Sequence, residues 1–294
     1  MTNSFRALLL GWLLLFSLQA GAQSISLCAE SRAQASQRQA VATPAHQQLM
    51  NRYDVSFYKL DLALERNSTY IQGNVTTEAS VKNTSLNTFA FELHQSFQID
   101  SILVNNKREQ SITRNNGDVT VQLSSLLPPL ARFKAVIYYK GTAPKSGAAA
   151  IGNGFSTARE PGWGNNVTWS LSEPYAAYEW WPTKQVLTDK ADSVHVFVTT
   201  SAENKVGSNG ILTNVVDLPG NRKRYEWKSG YPIDYYLVSV AVSDYEEYLQ
   251  FARPAGAAKP VPILNYVYKG GALATFKPEM DRTPGFLEHF SELF

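Results

Sequence analysis

From Tyr53 onward the chain consists largely of short runs in which apolar and polar residues alternate, a period of two that is typical of β-strands with one buried face. In residues 53–65 the alternation slips by one position near Phe57, as a β-bulge would produce. The pair Asn116-Gly117 favours a tight hairpin, because both residues tolerate a positive φ. Further strands are expected in residues 70–81, 89–93, 99–104, 119–123, 133–139, 193–200, 210–216, 223–227 and 261–268. The pattern predicts a mainly β fold, a layered antiparallel β-sheet domain.

Three other stretches lack this simple alternation. Residues 233–245 are apolar on both faces and predict one long central strand. Residues 141–164 are rich in Gly, Ala and Ser and predict a loop. Thr283 and Pro284 fit a helix cap and a first helical residue, and the apolar residues that follow recur at helical spacing. This pattern reaches Phe294 without a stop signal, so we expect a short C-terminal helical segment and a chain that is a fragment of a longer protein.

The first residues have the layout of a secretory signal peptide. Arg6 precedes an apolar run at residues 7–16, and small residues lead to a cleavage position after Ala22. The run is about 10 residues long, shorter than the roughly 20 that span a bilayer, and no other segment is long enough. We therefore expect a signal peptide at residues 1–22, a leader or linker at residues 23–51, and a secreted or periplasmic protein without a transmembrane segment.

Charge and cysteine content narrow the range of functions. The chain has 27 basic and 25 acidic residues, a net charge of +2, which is too balanced for a nucleic-acid-binding surface. Cys28 is the single cysteine, so an intrachain disulfide is impossible and the fold must hold by packing. Nucleic acid is therefore not an expected partner.

The candidate chemistry lies in residues 169–182, where Glu173 follows a strand-like run and precedes Pro174. Proline cannot donate to a β-ladder, so the carboxylate is expected at a strand end. The rings that follow, which belong to Tyr175, Tyr178, Trp180 and Trp181, are candidates for the walls of a concave pocket. A carboxylate in such a pocket attracts a cation, for example the terminal ammonium of a peptide. The alternative is an ordinary turn with an exposed carboxylate and with the rings in the core.

Three features in order resemble the N-terminal domain of the aminopeptidase N and leukotriene hydrolase-like zinc peptidases. They are Glu173-Pro174, the pair Trp181-Pro182 that ends nine residues after the Glu, and residues 231–246. The resemblance runs from about Arg52 to the end of the chain. It implies a saddle-like antiparallel β domain at residues 52–253. It also implies that Glu173 helps to hold the free amino terminus of a substrate next to zinc on the following domain.

The resemblance further implies that residues 254–294 hold a linker, the last strand and the truncated start of the catalytic domain. Two departures from the family pattern stand in this sequence. Tyr178 occupies a position where many members have Arg, and residues 187–193 replace an Asp-x-Pro-Ser stretch.

A zinc peptidase of this class needs two His four residues apart on one helical face, with a Glu beside the first. None of the four histidines is followed by Glu or has a second His within reach; they are His46, His94, His195 and His289. We therefore expect no metal site, no cofactor and no catalytic residue in this chain, which should be inactive alone, and zinc only in the presumed full-length protein.

The resulting hypothesis is the N-terminal substrate-recognition part of an exported zinc aminopeptidase. Its expected partners are the N-terminus of a peptide substrate and the missing C-terminal catalytic domain. Two alternatives stay open. One is a stand-alone β-rich module that binds peptides or glycans, with the aromatic residues between positions 163 and 181 as its platform. The other is a non-catalytic scaffold.

Overall fold

The computed structural model describes residues 42–145 and 153–294; the predicted signal peptide and Cys28 lie outside them. The fold is mainly β, as predicted. The strands are β1 (Tyr53–Glu65), β2 (Ser68–Val81), β3 (Leu86–Glu92), β4 (Phe97–Val104), β5 (Lys107–Glu109), β6 (Ile112–Asn115), β7 (Asp118–Leu127), β8 (Arg132–Thr142), β9 (Phe155–Arg159), β10 (Asn166–Ser170), β11 (Ser193–Ser201), β12 (Lys205–Ser208), β13 (Ile211–Leu218), β14 (Arg222–Ser229), β15 (Val240–Ser243), β16 (Glu246–Ala252) and β17 (Val261–Val267). The helices are α1 (Pro44–Met50), α2 (Ala272–Met280) and α3 (Thr283–Leu293).

The largest sheet has eight strands in the order β13-β14-β11-β1-β2-β8-β4-β5. Neighbouring strands in this sheet are antiparallel, except that β1 and β11 run parallel and are separated by a long connection. Alternate residues of β1 are buried, because one face of the strand packs on the core. The predicted bulge is confirmed, since the register of β1 against β2 shifts between Val55 and Phe57.

Three smaller sheets complete the layers. One has four strands in the order β12-β15-β10-β9, one has three in the order β3-β7-β6, and β16 pairs with β17 as a hairpin. The hairpin predicted at Asn116-Gly117 is confirmed, because Asn115 pairs with Asp118 and Asn116 has a φ of 53°. Buried side chains of the eight-, four- and three-stranded sheets form one continuous hydrophobic core.

Helix α1 lies inside the range predicted as leader or linker. His46 and Met50 on this helix are buried, and the His46 ring is hydrogen-bonded to the carbonyl oxygen of Phe91 at 3.0 Å. Ordered packing therefore begins upstream of residue 52. At the other end, the β16–β17 hairpin crosses the predicted boundary at residue 253.

Two predictions of local structure are wrong. Residues 233–245 do not form one long strand: a 3-10 turn at Tyr235–Leu237 precedes the four-residue strand β15. The predicted loop at residues 141–164 contains the strand β9, which pairs with β10. Strand β15 pairs with β10 and β12, and β9 pairs with β10. These partners lie outside the two stretches, so the local pattern does not reveal the pairing.

The predicted C-terminal helical segment is confirmed as α3, whereas α2, which precedes it, was not predicted. Thr283 is the first helical residue and Arg282 holds the cap position, so the predicted Thr283 cap is displaced by one residue. Large apolar side chains of α3, such as Phe286 and Phe290, are exposed. Among the described residues, no helix has the length and apolar character needed to cross a membrane.

Candidate functional site

Strand β10 carries the chain to Glu173. It lies inside the four-stranded sheet, between β15 and β9. Past its end, the N–H of Leu171 donates to the carbonyl oxygen of Gly154 at 3.0 Å, and a cis peptide bond joins Glu173 to Pro174. The prediction that the carboxylate lies at a strand end is confirmed.

Three hydrogen bonds hold the turn that carries Glu173. The buried hydroxyl of Tyr235 donates to the carbonyl oxygen of Pro174 at 2.5 Å. The Ala176 N–H donates to the carbonyl oxygen of Ser172 at 2.9 Å, and the Trp180 indole N–H donates to the Ser172 hydroxyl at 2.9 Å. The backbone of the turn is therefore fixed by buried groups.

The Glu173 side chain is exposed at the protein surface. Nearby, the Tyr236 hydroxyl donates to Asp234 at 3.3 Å, and Lys190 pairs with the same carboxylate at 3.3 Å. The pKa of the Tyr236 phenol is raised first by loss of hydration, then by Asp234, with a smaller contribution from Glu173. Lys190 is thus paired with Asp234. Among the described residues no cation forms an ion pair with Glu173, so its exposed carboxylate is accessible to a ligand.

The predicted aromatic walls of a pocket are wrong for the two indoles. Trp180 and Trp181 are fully buried. Trp180 stacks on Phe155 with 5.7 Å between ring centroids, and Trp181 meets Tyr58 edge-on at 4.9 Å. Both rings are core, as in the alternative interpretation of this segment. The role of Glu173 itself stays a prediction.

The other rings of the segment have separate surroundings. Tyr175 and Tyr178 are half-buried, and Tyr178 lies 5.8 Å from the His94 ring. Trp163 packs edge-on against Phe276 at 5.4 Å. The residues between 163 and 181 therefore do not share one aromatic platform.

The residues that follow the Glu173 turn are hydrogen-bonded to Gly154 in the glycine-rich connection between β8 and β9. The Gly154 N–H donates to the Glu179 carboxylate at 2.6 Å. A Cβ atom on Gly154 would lie 2.0 Å from the carbonyl oxygen of Ala176, so this close approach requires glycine. The connection and the turn thus support each other.

A buried ion pair behind the turn was not recognised in the sequence. Lys184 and Asp189 are both almost fully buried, and the ammonium donates to Asp189 and to the carbonyl oxygen of Tyr53. Asp189 also accepts from the Val55 N–H at 3.1 Å. Burial lowers the pKa of Lys184, and the Asp189 carboxylate opposes this shift. The pair ties residues 184–189 to β1.

Glu92 is a second buried group that the sequence pattern did not indicate. It accepts from the Gln185 backbone N–H at 3.3 Å and from its side-chain amide at 3.0 Å. Burial raises the pKa of Glu92 from 4.5 to about 7, and the Gln185 hydrogen bonds oppose the rise. The segment after Glu173 is therefore anchored to β3 as well as to β1.

The four histidines lie on different parts of the fold. His94 contacts Tyr178 next to the turn, and the other three lie elsewhere. His46 is buried beside Asp118, His195 packs on Phe57 and Phe197, and His289 lies on α3. Within residues 42–145 and 153–294, no group of three or more His, Cys, Asp or Glu side chains is arranged to hold a metal ion. The described residues therefore do not fit a zinc site.

No known family profile matches this sequence, and no curated protein is similar to it. Some solved structures are similar to this chain in fold. An M1 zinc metallopeptidase from Deinococcus radiodurans, also solved as a variant bound to a Tyr-Ser-Ala substrate, has a TM-score of 0.63 at 22% identity. The match covers 74% of this chain and 48% of that enzyme. Yeast LTA4 hydrolase in complex with bestatin has a TM-score of 0.55 at 15% identity, over 73% of this chain and 33% of the hydrolase.

The chain thus spans about half the length of the Deinococcus enzyme. At these identities the likeness concerns the fold, and it agrees with the resemblance that Glu173-Pro174 and Trp181-Pro182 carry in the sequence. The described chain has the fold of the N-terminal region of M1 zinc metallopeptidases.

Proposed function

We propose that this chain is the substrate-recognition part of an exported zinc aminopeptidase, and that Glu173 binds the free amino terminus of the peptide substrate. The fold likeness to M1 zinc metallopeptidases supports the class of enzyme. The observation that carries the role of Glu173 is an exposed carboxylate on a turn whose backbone is fixed by buried hydrogen bonds.

The carboxylate suits a primary ammonium for two reasons. An ammonium group has three donors and a full positive charge, and charge-assisted hydrogen bonds to a carboxylate are stronger than neutral ones. Lys190 is paired with Asp234, and no described cation is paired with Glu173, which leaves this carboxylate to a ligand cation. The fixed turn lowers the entropy cost of binding, because the backbone does not have to be ordered when the ligand arrives.

An exposed ion pair is worth little, typically below about 1 kcal/mol. In this chain alone, Glu173 would therefore discriminate weakly between free and blocked amino termini. Strong discrimination requires that the bound ammonium be shielded from water. In this proposal, a catalytic domain that follows the present sequence provides the shield.

The same domain would hold the zinc, since the described residues do not fit a zinc site. Zinc in such an enzyme polarises a carbonyl group and activates water. The contribution of the present chain is to bind and orient the amino end of the peptide.

Export is part of the proposal. It rests on the basic, apolar and small-residue layout of residues 1–22. Sequencing the amino terminus of the mature protein from the extracytoplasmic fraction tests it, and the expected first residue is Gln23. An intact Met1 on protein retained in the cytoplasm would contradict export.

The role of Glu173 is tested in a protein that contains this sequence together with its catalytic domain. We expect Glu173→Gln to weaken the binding of a dipeptide amide with a free amino group roughly tenfold, because a desolvated charge pair is lost. Binding of the N-acetylated dipeptide amide should change less than about twofold, since that ligand lacks the ammonium.

Glu246→Gln is the matched control, because Glu246 is an exposed carboxylate on β16. It should leave both binding constants unchanged. Equal weakening of the free and acetylated ligands by Glu173→Gln would remove the assigned role. Absence of zinc-dependent aminopeptidase activity in the wild-type protein would instead contradict the proposed class of enzyme.

A further inference from the structure

An open cavity of about 410 Å³ lies on the outer face of the four-stranded sheet. Its floor comes from β9 and β10, and its sides come from the turn after β9, from Tyr245 between β15 and β16, and from Tyr268 just after β17. The lining residues are Ala158, Arg159, Glu160, Pro161, Val167, Trp169, Tyr245 and Tyr268. The cavity is separate from Glu173 and plays no part in the proposed function.

Three aromatic rings give the cavity its apolar surface. Trp169, Tyr245 and Tyr268 are each half-buried, so each has a face or an edge available to a ligand. Tyr245 and Tyr268 lie with their ring centroids 5.5 Å apart. Tyr245 also stacks on Tyr266 at 5.7 Å. The rings are therefore held in place and form a preorganised wall.

Hydrogen bonds also fix the turn after β9, which forms the rim of the cavity. The Glu160 carboxylate accepts from the Gly162 N–H at 2.5 Å and from the Trp163 N–H at 2.7 Å. The Asn165 side chain donates to the carbonyl oxygen of Lys269 at 2.9 Å, which joins this turn to the end of β17. Both Glu160 oxygens are thus used within the protein.

Arg159 is the remaining charged group of the lining. Its Nε–H donates to the carbonyl oxygen of Gly164 at 3.0 Å, which orients the guanidinium. Within the part of the chain that the structure describes, the two Nη groups of Arg159 take part in no hydrogen bond. An oriented guanidinium with free donors recognises a carboxylate by two parallel hydrogen bonds.

We propose that this cavity binds a small aromatic carboxylate, of the kind that the carboxyl-terminal aromatic residue of a peptide presents. The ligand ring packs against Trp169 and the tyrosine pair, where aromatic groups gain from edge-to-face and offset contacts. The carboxylate meets Arg159 at the rim. The Glu160 oxygens already accept two backbone hydrogen bonds, whereas the Arg159 Nη donors are unpaired within the described chain, so the lining favours an anionic ligand.

The probe is N-acetylphenylalaninate, which has the ring and the carboxylate but no ammonium. Titration into the protein is followed by its tryptophan indole N–H signals, and Trp169→Phe assigns the Trp169 signal. We expect a saturable shift of that signal with a Kd on the order of 1 mM, as for a ligand of about 15 heavy atoms in an open site. N-acetylphenylalaninamide, which lacks the negative charge, should bind roughly threefold more weakly, as expected for an ion pair at an exposed rim.

Arg159→Gln should weaken N-acetylphenylalaninate roughly threefold and leave the amide almost unchanged, because only the charged contact is removed. Arg253→Gln, at an exposed arginine beyond the end of β16, is the matched control and should change neither. Glu173→Gln should also have no effect, so failure of this site and failure of the proposed function are separate results. Circular dichroism of each variant confirms that the fold is retained.

Three results would overturn the proposal. They are the absence of a saturable shift at Trp169, equal binding of the carboxylate and the amide, and equal weakening by Arg159→Gln and Arg253→Gln. The first would deny the site, and the other two would deny the assigned role of the guanidinium.

Discussion

The buried hydroxyl of Tyr235 donates a 2.5 Å hydrogen bond to the carbonyl oxygen of Pro174, and this contact fastens the Glu173 turn to the segment before β15. Replacing Tyr235 with Phe leaves the ring in place but removes the donor. The Pro174 carbonyl then loses a partner, which typically costs about 1 to 2 kcal/mol. We expect Tyr235→Phe to lower the free energy of unfolding by that amount in urea titrations.

Tyr231→Phe is a suitable control, because the Tyr231 side chain is largely exposed, with 82% of its surface accessible. This change should leave the unfolding midpoint within error of the wild type. In the proposed full-length enzyme, Tyr235→Phe should also weaken free-amine ligands more than acetylated ones, because the turn that carries Glu173 is loosened. Unaltered stability of Tyr235→Phe would show that the hydroxyl does not fasten the turn.

Features that depend on neighbouring residues could be predicted from the sequence. The bulge near Phe57 follows from a slip in alternation within one strand, and the turn at Asn116-Gly117 follows from two residues that tolerate positive φ. The break at residues 233–245 could not be predicted in this way. There, Tyr235 and Asp234 make their contacts with Pro174 and Lys190, which are far away in sequence, and these contacts override the strand pattern.

The same distinction between local and long-range contacts applies to the candidate site. Pro174 marks the end of the strand locally, so the placement of Glu173 could be predicted. The surroundings of Trp180 and Trp181 come from Phe155 on β9 and Tyr58 on β1, and no local signal distinguishes such core rings from pocket rings. The same holds for Lys184, whose charge alone suggests a solvated surface residue.

The buried pair of Lys184 and Asp189 should be important for stability. Lys184→Met leaves Asp189 buried without its cation, and removing one partner of a buried ion pair typically costs about 3 to 5 kcal/mol. We expect a loss of that size in the free energy of unfolding, measured with urea. Lys223→Met, which removes a surface cation 3.4 Å from Asp217, should cost less than about 1 kcal/mol.

A double variant separates charge from packing at this position. Lys184→Met combined with Asp189→Asn removes both charges but keeps an acceptor for the Val55 N–H. It should be more stable than Lys184→Met alone, because no uncompensated charge is buried. If the double variant lost the sum of the two single losses, the two side chains would not be coupled, and the pair would have no special role in holding residues 184–189 on β1.

Glu92 should make stability depend on pH. Its pKa is raised from 4.5 to about 7 in the folded protein, chiefly by burial. Below about pH 4.5 the carboxyl group is protonated in both states, and its full contribution to stability is present. Between pH 4.5 and 7 the unfolded chain releases the proton while the folded chain retains it. The free energy of unfolding then falls by about 1.4 kcal/mol per pH unit, or about 3 kcal/mol in total, and the contribution is lost above pH 7.

Glu92→Gln removes this titration while keeping a side chain of similar shape opposite Gln185. Urea unfolding of both proteins between pH 4 and pH 8 measures the effect, and the variant should gain about 3 kcal/mol relative to the wild type across that range. Glu246→Gln, at an exposed carboxylate, should follow the wild-type curve. Parallel curves for the wild type and Glu92→Gln would mean that Glu92 ionises near its ordinary pKa in the folded protein. Burial against Gln185 would then not keep this carboxyl group protonated near neutral pH.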